Sequence, residues 1–235
     1  MRRLTLIACL GSIAILFLIR SGAAQDAPRE SWTAEFNVDK ADLASSGRNP
    51  YFVLEPGFRL ILEGGKERLV VTVLDETRRV DGVETRIVEE RETENGQLVE
   101  VSRNFYAISR RTNSVFYFGE DVDTYKNGKI DGHDGAWASG VKGAKFGLMM
   151  PGEQLLKGRY YQELAPGVAM DRAEIDSVSE TVRTPAGAFQ HVLKVAESTP
   201  LEPIKEYKYY VKDIGLVQDG AARLVKYGNA SSIGE

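Results

Sequence analysis

The sequence is poor in the residues that build redox, metal and covalent chemistry. Its 235 residues contain one cysteine, Cys9, and two histidines, His133 and His191. With Cys9 inside an apolar N-terminal run, a disulfide framework is excluded and no Cys–His pairing can form. Zinc sites commonly draw three or four Cys, His or carboxylate ligands together, which leaves only His133, Asp134 and nearby acids to supply one. There is no Gly-x-Ser-x-Gly elbow and no phosphate loop. There is also no basic block: 30 Lys and Arg stand against 34 Asp and Glu, a net charge of −4. Nucleic-acid binding and an electrostatic hold on anionic lipid both rest on clustered cations, so both are excluded as main functions.

What is present begins with a targeting pattern. Arg2 and Arg3 precede an apolar stretch over 4–19, and Ser21-Gly22-Ala23-Ala24 follows as a cleavage site. The stretch falls short of the ~20 residues that cross a bilayer, so 1–24 reads as a signal peptide cleaved before Gln25. The protein is then secreted or periplasmic, and not transmembrane after cleavage. Leu6-Ile7-Ala8-Cys9 resembles a lipoprotein box but comes too early, ahead of the stronger apolar stretch 13–19. Losing Arg2, Arg3 and Arg20 leaves 27 basic against 34 acidic residues.

The remainder divides into a lead-in over 25–48, a single domain over 49–227 and a flexible tail over 228–235. The lead-in contains one short helix over 39–43. From Tyr51 onward the pattern is β. Alternating or β-branched segments at 58–63, 68–74, 83–94, 98–108 and 115–125 are separated by Gly64-Gly65, Asp81-Gly82, Asn95-Gly96 and Asn127-Gly128. Further strands follow between 159 and 227. No amphipathic helix intervenes, so parallel crossovers are excluded. The expected fold is all-β: one strongly curved antiparallel meander of roughly ten strands, a half-barrel or partial barrel. A Gly-rich segment, 136–156, interrupts the meander and is expected to be a loop, with Gly140 to Gly152 serving as a lid.

Thr184-Pro-Ala-Gly-Ala-Phe, leading into Gln190-His-Val-Leu-Lys-Val195, and Lys208-Tyr-Tyr-Val-Lys-Asp-Ile-Gly-Leu-Val217 carry a resemblance. They resemble a widespread uncharacterised family of secreted bacterial proteins, in which a Thr-Pro-Ala-Gly turn precedes a strand and a Gly-Leu-Val strand closes the domain. The likeness runs from about Asn49 to Tyr227. It implies a curved antiparallel sheet akin to the half-barrels of periplasmic lipoprotein carriers, and it implies no catalytic residue. Members often carry a cysteine where this chain has Gln190-His191-Val192.

Two sets of residues are candidates for function. The first is aromatic and sulfur-rich: Phe116, Phe118, Tyr125, Trp137, Phe146, Met149, Met150 and Tyr160 would line the concave face for an apolar or amphipathic ligand such as a lipid. The second is acidic: Glu120, Asp121, Asp123, Asp131 and Asp134 would hold calcium, Asp123 opening and Asp134 closing a loop of calcium-binding length. Tyr125 spoils that loop at its third position. The same stretch also reads as an Asn-Gly hairpin with solvated carboxylates, and no cofactor is then needed. The leading functional reading is a non-enzymatic exported domain that binds such a ligand or a cell-envelope partner. The alternatives are a hydrolase with a carboxylate or calcium site near 120–134, and a structural interaction module of the envelope.

Overall fold

Asp81, Asn95 and Asn127 all have positive φ and are each followed by a positive-φ glycine, so the three sequence-marked pairs turn hairpins as type I′ chemistry requires. The computed structural model describes residues 31–234; the expected signal peptide, its expected cleavage site and Cys9 lie outside them. In chain order a 3-10 turn, Lys40–Asp42, is capped by the Asp39 carboxylate, which accepts from Ala41 N at 3.0 Å. Three short strands follow, β1 (Leu43–Ala44), β2 (Gly47–Asn49) and β3 (Phe52–Leu54). The long meander is β4 (Phe58–Gly64), β5 (Glu67–Val80), β6 (Val83–Glu94), β7 (Gln97–Ser109) and β8 (Val115–Lys126). Next come β9 (Lys129–Gly132), β10 (Trp137–Ala138), β11 (Lys145–Met150), β12 (Arg159–Tyr161) and β13 (Glu163–Leu164). The chain finishes with β14 (Arg172–Thr184), β15 (Gly187–Ser198), β16 (Lys205–Val211), β17 (Gly215–Asp219), β18 (Ala222–Asn229) and one helical turn, α1 (Ala230–Ile233).

All but β2 and β3 belong to one antiparallel sheet ordered β12-β14-β15-β16-β17-β18-β4-β5-β6-β7-β8-β11-β13. Its two edges are joined by covalent chain. β12 pairs with β14, β13 pairs with β11, and only Gln162 separates β12 from β13. The sheet therefore nearly closes into a barrel, at the closed end of the half-barrel or partial barrel expected. Closure depends on Gly147 in β11: a Cβ there would sit 2.2 Å from the Gln162 carbonyl oxygen and 2.8 Å from that of Tyr161. Only glycine permits that crossing.

Two expectations need correction. The sheet has sixteen strands, thirteen of them along its main order, where about ten were expected. Several of the extra strands are two to four residues long, too short to show periodicity. The Gly-rich segment is also not a lid. Trp137 pairs with Glu120 and Gly147 with Tyr117, so β10 and β11 both hydrogen-bond to β8. Gly147 and Gly152 serve close backbone approach, while Gly140 and Gly143 turn the chain at positive φ between β10 and β11.

Apolar residues from all round the sheet, including Val73, Val88, Tyr106, Tyr117, Trp137, Met150, Ile175, Leu193 and Tyr210, meet in one interior cluster. Leu54 and Phe52 of the β2–β3 hairpin join it and stop that end of the barrel. The stopper is fastened by Asn49, which is 1% exposed and donates to the carbonyls of Asn113 and Pro151, both at 2.8 Å. Asp213 N donates to Pro50 O at 2.7 Å from another turn of the same end. A separate cluster, Leu43, Val80, Ile87, Phe105, Phe116 and Phe118, lies on the outer face under Phe36 and Val38 of the lead-in. Thr33 bonds to Arg159 and Tyr161 alongside β12. The opposite end carries the turns after β4, β6, β8, β15 and β17, and no comparable hairpin stops it among the described residues.

Candidate functional site: an acidic mouth in the barrel

Towards the unstopped end, the inward-facing positions change from apolar to charged. On β6 Glu90 and Glu92 continue the phase of buried Val88, and on β7 Asn104, Ser102 and Glu100 continue that of Tyr106. Glu120 needs a bulge to follow Tyr117. Between Tyr106↔Tyr117 and Asn104↔Glu120 the register slips by one residue, and the slip contains Gly119 at φ 132°. A Cβ on Gly119 would sit 2.3 Å from the Trp137 carbonyl, so glycine allows both the bulge and the pairing of β10. Across the barrel, β13 supplies Glu163, β15 Glu197, β16 Lys208 and β17 Asp219.

Lys208 is the cation of this group. Its ammonium lies 2.9 Å from Glu197 Oε2 and 3.7 Å from Asp219 Oδ2. Burial pulls its pKa down, but those carboxylates outweigh it and hold it well above the usual lysine range. Gln162 Nε2 donates to the other oxygen of Glu197 at 2.9 Å. Among the described residues, Glu90, Glu92, Glu100, Glu120, Glu163 and Asp171 have no cation within salt-bridge distance. Burial pushes Glu90 up to about 7; Lys208 opposes, while Glu92, Asp219 and Glu197 add to the rise. Burial also pushes Glu120 up to about 7, with the adjacent Tyr117 hydroxyl opposing and Glu90, Glu100 and Asp171 reinforcing. Glu163 is raised well above the carboxylate range by burial, then by Glu120 and Asp171. Asp171, Glu92 and Glu100 are raised chiefly by burial.

Two buried donors are unsatisfied. The Tyr160 hydroxyl, on a residue 4% exposed, has no hydrogen-bond partner, although it sits within the field of Glu197. Trp137 Nε1 lies beside the Glu163 carboxylate without a well-formed hydrogen bond. Such orphans call for a missing partner. Neither residue lines the two cavities nearest the charged group. The apolar chamber between Phe52, Phe58, Leu60, Met149 and Leu216 holds only about 70 Å³, well under the ~300 Å³ at which small-molecule sites begin. The recess at the mouth holds about 370 Å³, bounded by Glu163, Asp171, Glu197 and Lys208 and rimmed by Val168, Leu201 and Ile204. Those three rim residues are 49%, 48% and 49% exposed.

The residues expected from sequence are divided by the sheet. Trp137, Met150 and Tyr160 lie in the interior cluster with Met149 packed against it. Phe116 and Phe118 belong to the outer cluster, where Phe146 stacks on Phe118 at 4.9 Å. Tyr125 is half-buried in neither. The acidic set is divided too. Glu120 faces inward, Asp121 binds Arg78, and Asp123 binds Arg103 at 3.2 Å and His133 at 2.9 Å. Asp131 and Asp134 are exposed. Among the described residues no three His, Cys, Asp or Glu side chains are grouped so as to hold a metal. Sequence reasoning missed Glu90, Glu163, Glu197, Lys208 and Asp219. The signal for the first was there, since Glu90 and Glu92 share the phase of Val88, but an alternating charge reads equally well as solvent-facing.

No family model matches this chain, and no curated protein matches it. A solved structure of a "putative lipoprotein" from Parabacteroides distasonis is 13% identical, with a TM-score of 0.34, covering 74% of this chain and 95% of the other. No helix among the described residues is long and apolar enough to cross a membrane.

Proposed function

We propose that this protein is an exported binding domain whose ligand enters the open end of the barrel. Export rests on the leader pattern at 1–24 and on the motif resemblance described above. The binding reading rests on one observation: a 370 Å³ recess whose floor is charged and whose rim is exposed aliphatic side chain. A solvated surface of no function has little reason to leave Val168, Leu201 and Ile204 together around a recess floored by the buried Glu163 and the Glu197–Lys208 pair. The ligand is amphipathic, with an apolar portion on the rim and a polar group on the floor.

Native mass spectrometry of protein purified from its host tests this. Wild type is expected to carry a small-molecule adduct that denaturation releases. The Leu201→Asp/Ile204→Asp variant, altered only at exposed positions, is expected to lose the adduct while melting at the wild-type temperature. A wild-type protein running at the mass of its chain alone, or a variant that keeps the adduct, contradicts the reading.

A second reading, a carboxylate hydrolase, is favoured by the placement of Glu120 beside Glu163. Glu120 helps to raise the Glu163 carboxyl, after burial, and both lie above the ordinary carboxylate range. Screening against chromogenic glycosides and esters is its test. Turnover abolished by Glu120→Gln supports it, and no turnover of either class sinks it.

A further inference from the structure

We propose that the outer face of the sheet carries a site for a phosphate ester, held by Arg59, Arg68 and Arg91. The site lies on the other face of the barrel wall from the interior and does not depend on the reading of the mouth. Arg59 is on β4, Arg68 on β5 and Arg91 on β6, so the sequence shows no basic block although the fold makes one.

Strand register puts the three arginines on one face. On β5, Val71 and Val73 line the interior chamber, so Arg68, Val70 and Thr72 point outward. Thr72 is paired with Arg59 on one side and Glu89 on the other. Val70 is paired with Arg91, and Arg68 with Thr93. Directly opposed residues share a face. All of these residues line one groove of about 340 Å³, within the range of small-molecule sites.

The groove is short of acceptors. Among the described residues Glu89 is the one acid that lines it. Glu89 sits 3.2 Å from the Arg103 guanidinium, while Arg91 reaches it only at 3.7 Å, beyond hydrogen-bond length. Arg59 has no carboxylate within salt-bridge distance among the described residues. Its guanidinium is instead fixed by neutral oxygens, donating to Thr72 Oγ1 and to the Gly234 carbonyl, both at 2.9 Å. Thr72 is 8% exposed, so the first of these contacts is anchored in the floor of the groove. Arg68 is the partly committed member, donating to Glu63 at 3.0 Å.

Donors in excess call for a guest made of acceptors. Three arginines less Glu89 leave two positive charges in the groove, which match the dianion of a phosphate monoester. Guanidinium forks from three neighbouring strands approach a guest from different sides, which suits tetrahedral phosphate oxygens better than a planar carboxylate. Val70, Leu74 and Leu98 add aliphatic surface beside them for the carbon chain of the ester.

The test is isothermal titration of the purified protein with butyl phosphate at about pH 7.5, where the ester is mostly a dianion. Low salt keeps the exposed charges unscreened. Saturable binding is expected, about tenfold tighter than that of butyrate. Arg59→Gln and Arg91→Gln are each expected to weaken butyl phosphate about tenfold. Arg91 is exposed, so its variant should melt at the wild-type temperature. Arg91→Lys keeps the charge and loses the fork, for a loss of about threefold. Glu89→Gln is expected to tighten binding about threefold, and Arg111→Gln, exposed on the β7–β8 turn, to change nothing.

Absence of butyl phosphate binding overturns the assignment, as does equal binding by wild type and Arg91→Gln. Butyrate binding as tight as butyl phosphate overturns the phosphate class. Vesicles of phosphatidylglycerol that bind through Arg91 while butyl phosphate does not would overturn it in favour of a membrane surface. None of these variants touches the mouth, so each result leaves the reading of the mouth to its own test.

Discussion

Raising the pH from about 5 to about 8 is expected to lower the melting temperature by roughly 10 °C, the reverse of the acid lability common in proteins. The cause is the mouth. Glu90 and Glu120 titrate near 7 in the folded chain and near the ordinary 4.5 when unfolded. Between those values the folded state holds protons that the unfolded state has released. Their contribution is therefore fully present below about 4.5 and is lost as pH rises through about 7. A full shift would be worth about 3 kcal/mol for each group. Solvent at the open end and the mutual effect of Glu90 and Glu120 reduce that, leaving a few kcal/mol for the pair. Below this window the sign reverses. Asp176 is held down to about 2 by hydrogen bonds from Lys157 and Lys194, so its contribution is present above about 4 and is lost as pH falls through about 2. Stability should peak near pH 5. Thermal unfolding across pH checks this, and the Glu90→Gln/Glu120→Gln variant should flatten the upper limb. A melting temperature that rises from pH 5 to 8 would show that the two carboxylates are ordinarily solvated.

Gly147→Ala is expected to cost about 3–5 kcal/mol, the range reached when backbone must move to admit a side chain. The atom a methyl group meets at 2.2 Å is the backbone carbonyl oxygen of Gln162, which has no rotamer to give. Relief requires β11 to part from β13, and that pairing is half of what joins the sheet edges. Gly128→Ala is the comparison. It has φ 73° but nothing within 4 Å of its virtual Cβ, so it should cost only about 1 kcal/mol in backbone strain. Urea unfolding of both variants separates the two effects. If Gly147→Ala is no worse than Gly128→Ala, the barrel closes by some other contact.

These two cases also mark what the sequence could and could not disclose. The Asn-Gly and Asp-Gly pairs announced their hairpins because positive φ at consecutive positions admits few residue types. The strands of the meander announced themselves through β-branched runs such as 68–74. Gly147 could not announce its role, since its importance comes from Gln162, fifteen residues away, and a glycine beside Phe146 and Leu148 reads as loop. Barrel closure was hidden for the same reason. Phe116 and Phe118 were expected on the concave face, but they face outward under the lead-in while Tyr117 faces in, and alternation alone could not say which set points inward. Glu90, Glu120 and Glu163 come from three strands far apart in sequence. Strand pairing along β6-β7-β8-β11-β13 makes them neighbours, and only the bulge at Gly119 brings Glu120 into phase with Tyr117.

The central claim is that inward-facing, cation-deficient carboxylates, Glu90 and Glu120 among them, gather towards the open end of the barrel. Carbon-13 NMR titration of the glutamate carboxyl groups, assigned by Glu90→Gln and Glu120→Gln, tests it most directly. Two resonances with midpoints near pH 7 are the expected result. Glutamate midpoints that all cluster near the ordinary 4.5 would contradict the account.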